Sequence, residues 1–186
     1  MDKISNKLKK YKNDEFNPKL FKYNDFLSLK FSLSKKLNIN CFKNDDFDVI
    51  KIKKNKIFFD KNIILTNIKK CKLLPLYIYD INNDHLISLV IDNNKKLISL
   101  FNTSLQENNT YYKKIINLFN LDYKFILNND NIKCDSYKNL CVPLSLLMIY
   151  SYFNKINMNN FLKYINKISV ESSYNLIDNF INYLEN

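Results

Sequence analysis

At 186 residues with a formal net charge of +11, the chain is long enough to bury one core and too short for two comfortable ones, so it reads as a single domain over residues 1–186. It contains no Gly, Ala, Arg or Trp, which excludes the bidentate guanidinium fork as a phosphate reader and leaves turns of positive φ to Asn or Asp. Four cysteines (Cys41, Cys71, Cys134, Cys141) with no CxxC spacing, and the single histidine His85, exclude a Cys/His zinc site and show nothing like a disulfide framework.

Along the chain, residues 1–17 are rich in Lys and Asn with weak helical periodicity, as expected of a loosely ordered N-terminal arm or helix. Phe26, Leu27, Leu29, Phe31, Leu33 and Leu37 predict a helix capped by Asn24 or Asp25, although Leu27 to Leu33 also alternates like a strand. Val49–Ile52, Lys56–Phe59 and Asn62–Leu65 read as three short strands of a small meander or edge. Pro75–Tyr79, Asp84–Asp92 and Leu97–Phe101 predict core strands, the last two joined as a hairpin by Asn93-Asn94-Lys95-Lys96. Asn-rich junctions, Asn82-Asn83-Asp84 and Asn93-Asn94 among them, are the expected sites of positive φ. Tyr111, Tyr112, Ile115, Ile116 and Phe119 predict an amphipathic helix and Tyr123–Leu127 a strand. A polar loop over 128–139 leads to helices at 141–153, about 158–167 and about 174–184, with Asn160, Ser169 and Ser173 as candidate caps. The class is α+β, a central, mostly antiparallel sheet flanked by helices.

No run approaches the length of a membrane span and no signal-like h-region follows Met1. The expected location is intracellular, in a reducing compartment or packaged in a particle, and not secreted. The lysine excess favours a polyanionic partner such as nucleic acid, although a genome poor in G and C also inflates Lys and Asn.

Three residues could carry chemistry together. Pro143 fits only a first helical turn, which puts Cys141 at a helix start, where unpaired N–H groups and the dipole favour a thiolate and can hold an oxyanion. The plainer alternative for Cys141 is a buried structural thiol beside Val142, Leu144 and Leu146. His85 opens a strand and so belongs at a sheet rim, within reach of a thiol on a neighbouring helix. Asn102 ends the next strand, and its amide oxygen could fix the imidazole tautomer in a Cys-His-Asn triad; alternatively it only forms the turn before Thr103-Ser104.

The order His, Asn, Cys resembles that of the adenain and Ulp1-like cysteine peptidases: the adenovirus-type maturation protease, its virophage and large-DNA-virus relatives, and the proteases of SUMO and ubiquitin-like modifiers. The matching text is His85-Leu86-Ile87-Ser88-Leu89-Val90-Ile91-Asp92, then Leu100-Phe101-Asn102, then Asp135-Ser136-Tyr137-Lys138-Asn139-Leu140-Cys141-Val142. It lies within residues 72–153. The resemblance implies a papain-like, adenain-like architecture and a cysteine endopeptidase with His85, Asn102 and Cys141 as catalytic residues and no required cofactor. On the viral side it implies maturation of capsid or scaffold precursors at small-residue motifs, in a virion or in the host cytoplasm or nucleus, with a DNA or peptide activator. The other readings are a protease deconjugating a ubiquitin-like modifier, and an inactive homologue that binds nucleic acid or a capsid partner. The family's oxyanion Gln falls where this chain has Cys134 and Asp135, and an ionised Asp cannot donate. Losing one such donor costs on the order of 10²–10³ in rate. Asn139, together with the Cys141 backbone N–H, is the remaining candidate.

Overall fold

The computed structural model describes residues 21–41, 48–54, 56–103, 114–127 and 140–186. The expected N-terminal arm and the 128–139 loop lie outside these residues. Helix α1 runs Tyr23–Leu37. Its periodic face wins over the strand-like alternation because Phe26, Leu29 and Leu33 all become buried. Asp25 serves not as the cap itself but from the first turn, where its carboxylate accepts the Lys22 backbone N–H at 3.0 Å. Lys30, on the buried face, is held by an ion pair with Asp48 at 2.5 Å.

Strands β1 (Val49–Lys53) and β2 (Lys56–Phe58) pair antiparallel at a sheet edge, two of the three strands expected of a small meander or edge. The strand expected at Asn62–Leu65 is instead part of a helix, α2 (Lys61–Lys70). Asp60 caps it by accepting the Ile63 N–H at 3.0 Å, a cap worth about 1 kcal/mol, and Ile64 and Ile68 bury one turn apart. A four-residue apolar run suits either period, and here the cap and the second buried turn decide it.

Strands β3 (Leu73–Asp80), β4 (His85–Asp92) and β5 (Leu97–Phe101) form an antiparallel centre, and β6 (Lys124–Leu127) pairs parallel with β5. The sheet order is β2-β1-β3-β4-β5-β6, with β1 parallel to β3. Antiparallel pairing therefore dominates, and the α+β class holds. Residues 114–117 are helical, as the Ile115 and Ile116 spacing predicts.

Each face of the sheet carries its own core, and strand alternation assigns residues to them. Tyr77, Tyr79, Leu86, Val90 and Phe101 face one core; Ile78, Ile87, Leu89, Ile91 and Leu100 face the other, shared with α2 and Ile115, Ile116 and Phe119. At the centre of the first lies α3 (Cys141–Phe153), whose residues Val142 to Tyr152 are all buried. A helix apolar on all sides must be enclosed, and each of its fully buried aliphatic side chains stabilises the fold by about 1.5–3 kcal/mol. Enclosure comes from α1, α4 (Met158–Lys167) and α5 (Val170–Glu185). Asn157 caps α4, in place of the expected Asn160, which supplies the N–H that Asn157 accepts. Ser169 caps α5, as expected, and the helix begins earlier than residue 174.

Two further expectations are corrected. Positive φ occurs at Asn38, Asp84 and Asn120 but equally at Lys54, Lys96 and Lys155, so without glycine the chain also places lysine in left-handed turns. Cys41 and Cys71 form a disulfide, with Cα atoms 6.0 Å apart. Cys41 follows the end of α1 and Cys71 caps the end of α2; that these two helix ends meet is a tertiary fact that linear spacing does not carry. The pair removes the support that cysteine spacing gave to a reducing compartment.

Candidate active site

His85 and Asn102 meet because of strand register. In β4 and β5, Ser88 lies opposite Phe101 and Asp92 opposite Leu97. One further step would set Asn102 opposite Ile87, which makes His85 its diagonal neighbour on the same sheet face, a distance that longer side chains bridge. The contact is made: His85 Nε2 lies 2.8 Å from Asn102 Oδ1. Both residues are buried, His85 with 9% and Asn102 with 2% of its surface exposed. An amide oxygen only accepts, so this contact suits the tautomer with the ring proton on Nε2.

Cys141 is the first residue of α3, and Pro143 stands in its first turn. Leu140 at the cap offers no side-chain hydrogen bond, so the cap residue itself does not occupy the first N–H groups of the helix at the thiol, where a helix favours negative charge. The partly exposed Cys141 thiol donates to the backbone carbonyl of Asp84 at 3.7 Å. Asp84 immediately precedes His85, so the thiol rests against the backbone of the strand that carries the imidazole.

Sequence reasoning missed Tyr79. From β3 its hydroxyl donates to the Asp84 carboxylate at 3.0 Å, pinning the left-handed Asp84 (φ 48°). Burial, then the hydrogen bond to Asp84, pushes the phenol well above the ordinary tyrosine range and keeps it a donor. Its ring stacks on Phe26 at 5.8 Å, which anchors the turn to α1. The antiparallel pairing of β3 with β4, Asp80 opposite His85, could have pointed to a β3 residue near Asp84.

The oxyanion candidates Cys134, Asp135 and Asn139 lie outside the described residues. Among the described residues no cluster of three or more His, Cys, Asp or Glu could hold a metal, and no helix is long and apolar enough to cross a membrane.

No protein-family model matches the chain, and no curated protein matches it. Solved structures do. The C-terminal Ulp1 protease domain in complex with Smt3, the yeast ortholog of SUMO, is 10% identical with a TM-score of 0.48, over 99% of this chain and 94% of that one. The SUMO protease Ulp1 with its catalytic cysteine oxidised to a sulfonic acid is 10% identical with a TM-score of 0.45, over 99% and 94% of the two chains. The sulfinic acid form gives 10%, 0.48, 99% and 94% for the same measures. The chain is similar in structure to Ulp1 protease domains.

Proposed function

We propose that this chain is a cysteine peptidase whose nucleophile is Cys141, whose base is His85 and whose orienting residue is Asn102. The observation that carries the reading is the 2.8 Å contact between His85 Nε2 and Asn102 Oδ1, formed beside a helix that begins with the thiol. Nδ1 takes the Cys141 proton and the thiolate attacks a peptide carbonyl carbon, forming a C–S bond. Backbone N–H groups at the start of α3 hold the oxyanion. Collapse breaks the C–N bond, and the amine leaves with the proton from His85. Water, deprotonated by His85, then attacks the thioester; the C–S bond breaks and the thiolate recovers its proton. No step calls for a cofactor.

In this reading iodoacetamide near neutral pH modifies Cys141 faster than Cys134, while Cys41 and Cys71, joined in a disulfide, react only after reduction. Peptide mapping of the non-reduced protein measures this. Equal labelling of Cys134 and Cys141 would point to the non-catalytic alternative.

Within the class, our reading is a maturation-type endopeptidase acting on capsid or scaffold precursors at small-residue motifs. The charge of +11 supports it, while the order His85, Asn102, Cys141 is common to both branches. Digestion of a mixed peptide library tests it against the deconjugating alternative: internal cuts between small residues are expected, whereas release confined to the tail of a ubiquitin-like fusion would favour deconjugation. Lys53, Lys54 and Lys56 at the β1–β2 edge and Lys61, Lys69 and Lys70 on α2 are all exposed, a surface suited to a polyanion. Affinity for a random DNA duplex should therefore fall steeply and linearly in a log–log plot against salt. A flat plot removes phosphate neutralisation from the account.

A further inference from the structure

Leu86 follows His85 and pairs with Tyr79 of β3, while among the described residues β5 pairs with β4 only from Ser88 onward. The Asn93 N–H donates to Lys72 of the β3 side, so by alternation the Leu86 carbonyl points to the β5 side. Its carbonyl lies past the end of that ladder, in the core, where a backbone acceptor needs a donor. Ser145 supplies it: the fully buried hydroxyl donates to Leu86 O at 3.2 Å. Ser145 stands one helical turn after Cys141, so the two share a face of α3, and Cys141 makes the parallel contact to Asp84 O at 3.7 Å. One turn rises about 5.4 Å and two strand residues span about 6.6–6.8 Å. Helix positions 141 and 145 thus match strand carbonyls 84 and 86, with His85 between them. At the far end of the same face the Tyr152 hydroxyl donates to the Asp92 carboxylate of β4 at 3.4 Å, a longer and more adjustable tether, so Ser145 is the directional contact that holds the thiol end of the helix.

We propose that Ser145 is a positioning residue that sets the axial register of the Cys141 helix against the His85 strand; the inference rests on the peptidase reading. The test uses the full chain with p-nitrophenyl acetate, whose carbonyl carbon accepts the Cys141 sulfur as p-nitrophenolate leaves. The burst amplitude counts acylable thiols and the burst rate reports their alignment with the base. For Ser145→Ala the expected result is a full-amplitude burst at a rate lowered by about 10- to 100-fold, since a misplacement of about 1 Å costs about that much. Ser151→Ala is the matched control, because Ser151 is buried on the same helix and its hydroxyl has no hydrogen-bond partner among the described residues; it should keep the wild-type rate. Ser145→Thr, which retains the hydroxyl, should stay within about threefold of wild type and carries the test if the alanine variant does not fold. A purely structural role would lower the amplitude and leave the rate per acylable thiol unchanged, and that result overturns the proposal. A wild-type chain with no burst overturns the peptidase reading, and this inference with it.

Discussion

Replacing His85 with Ala is expected to slow acyl transfer from Cys141 by on the order of 10²–10⁴, the usual contribution of a positioned general base. The protein suits this experiment, because His85 is its single histidine. A limb of the pH–rate profile in the imidazole range can belong to no other histidine, and it should vanish in the variant. His85 sits at the rim of the sheet, at the first position of β4, so its loss leaves the apolar alternation of the strand in place. A thermal melt alongside the kinetics separates lost chemistry from lost fold. A variant that keeps the wild-type rate and the same limb would remove His85 from the mechanism.

Asn102 divides into two substitutions with different signatures. Asn102→Ala deletes the acceptor 2.8 Å from Nε2, so the ring proton is no longer confined to that nitrogen and Nδ1 is the base only part of the time. In a related triad built on serine, the wrong tautomer costs about 10⁴; a loss on the order of 10² or more is expected here, with little change in KM. Asn102→Asp keeps an acceptor and adds a negative charge beside the ring, which favours imidazolium. The imidazole pKa then rises above its wild-type value, the free base appears only at higher pH, and the acid limb of the profile moves upward. Activity should fall most at mildly acidic pH and recover as pH rises. An unmoved limb in Asn102→Asp would mean that residue 102 does not face the ring in solution.

Much of this geometry was legible in the residues. The Asn93–Lys96 turn fixes the β4–β5 register, and the register brings His85 and Asn102 onto one face as diagonal neighbours. Pro143 fixes the helix start, and with it the place of Cys141. What was not legible depends on long-range packing. Asn62–Leu65 has the composition of a strand, and its helix rests on the Asp60 cap and on Ile68 finding the second core. Nothing in the spacing of Cys41 and Cys71 says that the ends of α1 and α2 adjoin. The Tyr79 clamp on Asp84 comes from the β3 side of β4, and the Ser145 bond to Leu86 arises because the described β5 pairing stops short of His85 and the first turns of α3 lie beyond it. A serine inside an apolar helix reads from sequence as neutral filler, and only its orphaned partner reveals a use.

The central claim is that Cys141 forms a covalent acyl intermediate and that His85 drives its formation. Brief exposure of the protein to p-nitrophenyl acetate, followed by peptide mapping with and without hydroxylamine, tests it directly. The account predicts a hydroxylamine-labile acetyl group on the Cys141 peptide in the wild type and its near absence in His85→Ala. Acetyl groups confined to lysines, or equal thioester at Cys141 in both proteins, would contradict it.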